Sequence, residues 1–172
     1  MELEEIFNKY YDRIYSFTLF RVQNAHDAED IASDVFFKAV KSFGSFNKEK
    51  ASVSTWLFAI ALNEIRTYYR KRRFHLQLDL DIPARDNVLN SVLANEQAKA
   101  LGAAIARLHE RQRNIILLKY YGQMNNKQIA RLLKLTETNV GTILSRSIKI
   151  LKKYLETCDG FNSGEYKESD KQ

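Results

Sequence analysis

The sequence predicts an all-α protein of two small helical domains joined by a linker, and three observations carry that expectation. Only one Pro and six Gly occur in 172 residues, so little in the chain interrupts helix. Apolar residues recur at intervals of three and four along most of its length, the period of helices with one buried face. Between two such stretches lies Leu78-Asp-Leu-Asp-Ile-Pro83, which has neither helical nor sustained strand period and whose Pro and acids mark a connection. The domains are therefore expected at 1–74 and 93–157, with the linker at 75–92 and a polar tail at 158–172 expected to be disordered.

Each helix has its own justification. Leu3, Ile6, Phe7, Tyr10, Ile14, Phe17 and Phe20 form one apolar stripe and predict a helix from Leu3 to about Val22. Gln23-Asn24 is a polar break. Asp27-Ala-Glu-Asp places acids in the first turn of a second helix, where the helix dipole favours them, and the apolar run continues to Phe43 before Gly44-Ser45 stops it. The stretch Gly44 to Ser54 is polar and reads as a loop. Ser54 or Thr55 is expected to cap a third helix that carries Trp56, Leu57, Ile60 and Ile65 and ends in the basic run Arg66 to Arg73. Beyond the linker, helices are expected from about Val88 to Leu108, Glu110 to Tyr121 with Gly122 as the stop, Asn126 to Leu133, and Glu137 to Glu156.

Composition narrows the class of function. With 45% hydrophobic residues, ten Phe and nine Tyr, the chain can bury real cores, and a net charge of +6 attracts it to polyanions. Cys158 is the single cysteine, which excludes an intrachain disulfide or a cysteine zinc cluster and suits a reducing cytoplasm. The N-terminus is acidic and no apolar run approaches the ~20 residues that span a bilayer, so neither export nor membrane insertion is expected. His26, His75 and His109 lie far apart, and no phosphate loop or nucleophile motif is present, so neither metal, cofactor, small-molecule substrate nor catalytic residue is expected. Each histidine reads as a surface or capping residue.

Two constellations point to nucleic acid. Arg66-Thr-Tyr-Tyr-Arg-Lys-Arg-Arg73 carries five cations and two tyrosines, with no acid between Glu64 and Asp79. Cations pair with phosphates and tyrosine faces stack on exposed bases, whereas the plainer reading is that cations at a helix end complement its dipole. The second constellation runs from Asn126 to Leu144. Its apolar residues Ile129, Ala130, Leu133, Leu135, Val140 and Leu144 match a helix-turn-helix core, with Ala130 small at the helix crossing and Thr136 placed to cap the second helix. That geometry aims Thr138, Asn139, Thr142 and Ser145 at a major groove, with Arg146 and Lys149 nearer the backbone. The plainer alternative is a helical hairpin in a bundle.

Across residues 1 to 157 the chain resembles an extracytoplasmic-function sigma factor of the sigma-70 superfamily. Asp27-Ala-Glu-Asp-Ile, Val35-Phe-Phe-Lys-Ala, the loop Phe46 to Ser54 and Thr55-Trp-Leu-Phe-Ala-Ile-Ala-Leu-Asn-Glu resemble region 2 in order and spacing. Leu108-His-Glu-Arg-Gln-Arg-Asn-Ile-Ile-Leu-Leu-Lys-Tyr120 and the helix-turn-helix resemble region 4. The resemblance implies an alternative sigma factor that directs RNA polymerase core to promoters, holding the largest subunit's coiled coil and the β-subunit flap, and open to an anti-sigma factor. It implies that Asn63, Phe46, Asn47, Lys48, Arg66, Tyr69, Arg70 and Arg73 face the −10 element, with a flipped base held by the loop and Asn63. It further implies that Thr138, Asn139, Thr142, Ser145, Arg146 and Lys149 face the −35 element, and that Asp30, Ser33, Asp34 and Phe37 grip polymerase. At least one of Phe36 and Phe37 is expected in the core.

The chain departs from the family pattern in places. Ser33-Asp34 stands where Gln-Glu is frequent, Val40 where an aromatic is, and Gly141 and Ile143 where the recognition helix often has basic residues. Glycine weakens the helix by up to ~1 kcal/mol relative to alanine, and Ile143 offers only apolar contact, such as to a thymine methyl. Other readings are a sigma-like decoy that binds an anti-sigma protein without a promoter, an autonomous helix-turn-helix regulator, and, remotely, a basic nuclease.

Overall fold

The computed structural model describes residues 3–77 and 96–157. The first helix, α1 (Leu3–Val22), forms as its stripe predicts, with Glu4 and Glu5 in the first turn. Ile6, Tyr10, Ile14 and Phe17 are buried along it, and Phe17 meets Phe58 edge-on with ring centroids 5.0 Å apart. A two-residue connection follows, with Gln23 in the left-handed region (φ 58). Asn24 then caps α2 (Ala25–Ser42), its side chain accepting the Asp27 N–H at 2.9 Å. That cap starts α2 just ahead of the acids expected to open it.

A single 3-10 turn, Phe43–Ser45, ends α2, and α3 (Val53–Gln77) begins after the loop. The expected cap is corrected here: Ser52, not Ser54 or Thr55, accepts at the helix start, taking the Thr55 N–H on its hydroxyl at 3.1 Å. Ser54 lies inside the first turn and is used elsewhere. Ala28, Ala32 and Ala39 let α2 approach its neighbours, and Leu57, Phe58, Ala61, Leu62 and Ile65 of α3 fill the remaining space. Thr18 adds a polar tie within this core, its Oγ lying 3.2 Å from the Ala28 carbonyl as well as close to its own helix turn. Fully burying one Leu, Ile or Phe contributes on the order of 1.5–3 kcal/mol, so this apolar contact dominates the stability of the three-helix unit.

The second unit comprises α4 (Glu96–Arg107), α5 (Glu110–Tyr120), α6 (Asn126–Leu133) and α7 (Glu137–Glu156). Of the helix expected from Val88, residues 88–95 lie outside the described residues, as do most of the linker and the tail. Arg113 secures the end of α4 by donating to the carbonyls of Ile105, Ala106 and Leu108. Asn125 and Gln128 exchange side-chain and backbone hydrogen bonds at 2.8 and 2.9 Å, a reciprocal cap that starts α6. Lys134 then turns through the left-handed region (φ 55), and Thr136 caps α7 as expected, accepting the Asn139 N–H at 3.2 Å.

The two units dock through α1, α3 and the turn after α5. Phe20 packs on Tyr121 with centroids 5.4 Å apart, and Arg13 Nε donates to the Tyr121 carbonyl at 2.8 Å. Ser54 donates its hydroxyl to the Gly122 carbonyl at 2.7 Å. Two side chains of the first unit thus satisfy carbonyls left open where α5 ends.

Gly122 and Gly141 should respond oppositely to alanine. A methyl at Gly122 collides with the Leu118 carbonyl, whereas at Gly141 it meets only Asn126 Nδ2 at 3.6 Å, an ordinary contact. Thermal unfolding should show Gly122→Ala less stable by about 1–3 kcal/mol and Gly141→Ala more stable by up to ~1 kcal/mol.

Candidate nucleic-acid and polymerase interface

Asn63, Arg66 and Arg70 recur at three- and four-residue steps on the exposed face of α3, opposite buried Leu62 and Ile65. Arg66 Nη1 donates to Asn63 Oδ1 at 3.2 Å, which orients the amide. Tyr69 is 37% exposed, with its hydroxyl donating to the Arg21 carbonyl at 2.5 Å. Tyr68 donates to Asp27 Oδ2 at 2.9 Å and accepts from Arg72 Nη1 at 3.0 Å. The two tyrosines are therefore anchored at their tips, and of the two only Tyr69 keeps much ring surface open.

Helix α3 continues past Arg73 to Gln77, so the cations lie within the helix rather than at its very end. Dipole compensation fades within the last turn, and like charges three or four residues apart repel. Arg66, Arg70 and Arg73 are thus held against their mutual repulsion without help from the dipole.

In the preceding loop, Phe46 stacks on Trp56 with centroids 4.6 Å apart. Its ring holds the loop against α3, while Asn47 and Lys48 are exposed. Asn47 Oδ1 accepts the Glu49 N–H at 2.8 Å, which fixes the turn.

On α2, Asp30, Ser33, Asp34 and Phe37 are all exposed on one face, continued by Val40 and Lys41. The structure separates the two phenylalanines: Phe36 is buried against Phe7, whereas Phe37 is 57% exposed. The Lys41 ammonium sits 4.1 Å from the Phe37 ring centroid. This face couples an apolar centre to an acidic edge.

On α7, Thr138, Asn139, Thr142, Ser145, Arg146 and Lys149 are exposed, while Val140, Ser147 and Leu151 are buried on the other side. The family's frequent basic positions at 141 and 143 do not belong to this outer strip. Ile143 is half-buried against the hydrophobic core, so its apolar side chain is used for packing rather than held out for a thymine methyl. Position 141 faces Asn126 at the start of α6.

Several functional-looking groups escaped the sequence reading. Arg21 is only 3% exposed and pairs with Glu110 at 3.1 Å across the domain junction. Its spacing offered a signal, since it continues the buried series Ile14, Phe17 by one more helical step. Glu64, 9% exposed, holds Lys38 at 2.6 Å and ties α2 to α3. Burial raises the Tyr121 pKa above its ordinary value, consistent with a ring wedged between the two units. His26 lies 3.8 Å from Asp30, His109 stands at the start of α5, and the His75 side chain is outside the described residues. Among the described residues, no three His, Cys, Asp or Glu side chains converge as metal ligands, and no helix is long and apolar enough to cross a membrane.

A helix-turn-helix unit docked beside a three-helix unit with a cationic helix is an arrangement suited to a two-domain DNA-binding protein. Residues 6–75 match sigma-70 region 2, and residues 98–151 match sigma-70 region 4. The sigma factor RpoE of Cereibacter sphaeroides is 33% identical over 146 residues, covering 83% of this chain and 78% of the relative. SigW of Bacillus subtilis is 29% identical over 164 residues, covering 88% and 87%. The chain belongs to the extracytoplasmic-function family of RNA polymerase sigma factors. It is an alternative sigma factor. The fold matches that of RpoE from Bartonella quintana, solved with the anti-sigma factor NepR, at a TM-score of 0.76 and 19% identity, covering 90% of this chain and 96% of that one.

Neutralising Arg70, Lys71, Arg72 and Arg73 together should weaken DNA engagement similarly across promoters. In a salt titration of holoenzyme binding, every phosphate that these cations no longer neutralise should reduce the log–log slope by about 0.7–0.9. An unchanged slope would leave the run as a solvated helix surface.

Proposed function

We propose the following division of labour within this sigma factor. The first domain, 1–74, holds polymerase core and the −10 element, and the second, 93–157, reads the −35 element. On α2, Phe37 enters an apolar depression of the largest subunit's coiled coil, with Asp30, Ser33 and Asp34 facing polar or cationic partners around it. The second domain meets the β-subunit flap. On α3 and its loop, Asn63 reads a flipped −10 base, with Asn47 and Lys48 beside it. Arg66, Arg70 and Arg73 take the strand phosphates, and Tyr69 offers a stacking face.

The observation that carries this reading is the exposed series Asn63, Arg66, Arg70 on a helix whose cations gain nothing from its dipole. The protein transfers no chemical group; polymerase supplies the chemistry. An anti-sigma factor would cover the same faces, and the site of action is the cytoplasm. On α7, Thr142, Ser145 and Arg146 read bases, while Thr138 and Asn139 lie at the entry of the groove and Lys149 at the backbone. With Ile143 packed against the core, the family's basic positions are not needed for a continuous outer strip.

Transcription from a cognate promoter with purified core tests the whole assignment, because a decoy or an autonomous regulator gives none. Asn63→Ala should keep core binding and folding while lowering open-complex formation by about 1–3 kcal/mol at one −10 base. Unchanged opening removes Asn63 from the site. Thr142→Ala and Arg146→Ala should shift −35 preference in a binding selection without altering −10 melting. Identical upstream selection by those variants would make the second domain chiefly a protein-docking surface.

A further inference from the structure

Between the docked domains lies a cleft of about 760 Å³. Arg66, Arg70, Arg72 and Arg73 of α3 line it from the first domain together with Arg21 of α1, and Arg113 of α5 lines it from the second. Glu110 is the single acid among the described lining residues, so six guanidinium groups face one carboxylate. That carboxylate's side chain is 71% exposed.

Arg21 is the unusual group. It is 3% exposed, its Nη2 reaches Glu110 at 3.1 Å, and its buried Nε has no hydrogen-bond partner. A buried charge costs several kcal/mol unless counter-charges meet it, and Glu110 meets only the Nη2 edge of Arg21 from a largely exposed side chain. Arg113 does not supply relief. Its Nε and Nη2 groups donate to the carbonyls of Ile105, Ala106 and Leu108, which carry no formal charge, and none of these bonds uses Nη1. Burial first, and then the charge of Arg21, hold its pKa below the ordinary arginine value.

We infer that this cleft binds a compact polyphosphate anion, inorganic or the phosphate chain of a nucleoside polyphosphate, which bridges Arg21 and Arg113 across the docked domains. Guanidinium forks match phosphate oxygens in pairs, and several closely spaced negative charges balance several arginines at once. A promoter strand running along α3 needs only the α3 wall. The Arg21–Arg113 side exists only while the domains are docked, so the small anion and the strand compete for Arg66, Arg70 and Tyr69. Occupancy therefore favours the docked form and withdraws these residues from the promoter.

Calorimetric titration of the full chain with inorganic tripolyphosphate tests this. The expected result is one anion per chain. Glu110→Gln, on an exposed side chain, should tighten binding about three- to tenfold by removing the opposing charge. Arg21→Met should weaken it at least about tenfold, the order expected for losing a charged hydrogen-bond partner. Should Arg21→Met fail to fold, Glu110→Gln alone still decides. Adenosine triphosphate binding more tightly than tripolyphosphate would assign the nucleoside source, and equal binding the phosphate chain alone. Several anions per chain, or an affinity indifferent to Glu110→Gln, would mean diffuse condensation on α3 and overturn the site. So would hexathymidylate showing the Glu110 dependence while tripolyphosphate shows none. Run-off transcription without added polyphosphate reports on the promoter assignment separately, so the two can fail independently.

Discussion

Burial of the apolar stripe of α1 is the constraint on which the rest of the molecule depends. Ile6, Tyr10, Ile14 and Phe17 cannot be covered by a single neighbouring helix, and α2 and α3 close over them from two sides. That closure sets the rotation of α2 and α3, and with it which residues face outward. Phe37 is exposed because Val35, Phe36 and Ala39 are committed inward. Asn63 is exposed because Leu62 and Ile65 are turned into the core. The surfaces we propose for polymerase and DNA are the complement of this core.

The same helix makes the second contact of the fold. Arg13, Phe20 and Arg21 leave the first domain on the flank of α1 that meets Tyr121 and Glu110. The turn after α5 would otherwise present open carbonyls at Tyr121 and Gly122, and Arg13 and Ser54 satisfy them. Docking is thus specified by polar satisfaction as well as by apolar contact. Because the partners are few and partly exposed, such an interface is suited to opening when a larger binding surface competes.

Charge is distributed with a cost that phosphate binding would offset. Four cations from Arg70 to Arg73 follow one another on one helix, while Asp27 is engaged with Tyr68, Glu64 with Lys38 and Glu110 with Arg21. The recognition helix is arranged differently, with mostly neutral hydroxyl and amide groups outward and cations only at Arg146 and Lys149. The first surface suits phosphate affinity and the second suits base reading.

Local chemistry was enough to determine the all-α class, the two-domain division, most helix limits, the helix-turn-helix and its Thr136 cap, because periodicity and capping act between residues close in the chain. The resemblance of the motifs added the family, since two motif sets in order leave few alternatives. What only the tertiary structure decided was which of two candidates faces inward and who meets whom across the chain. Phe36 against Phe37 and the packing of Ile143 both turn on the rotation of a helix against its neighbours. Arg21 lay on a readable stripe, yet its partner Glu110 stands 89 positions away, and no local pattern encodes that distance. Spacing along a helix fixes a direction relative to its own axis, whereas contact requires the position of a second helix, which arises only when the cores are packed.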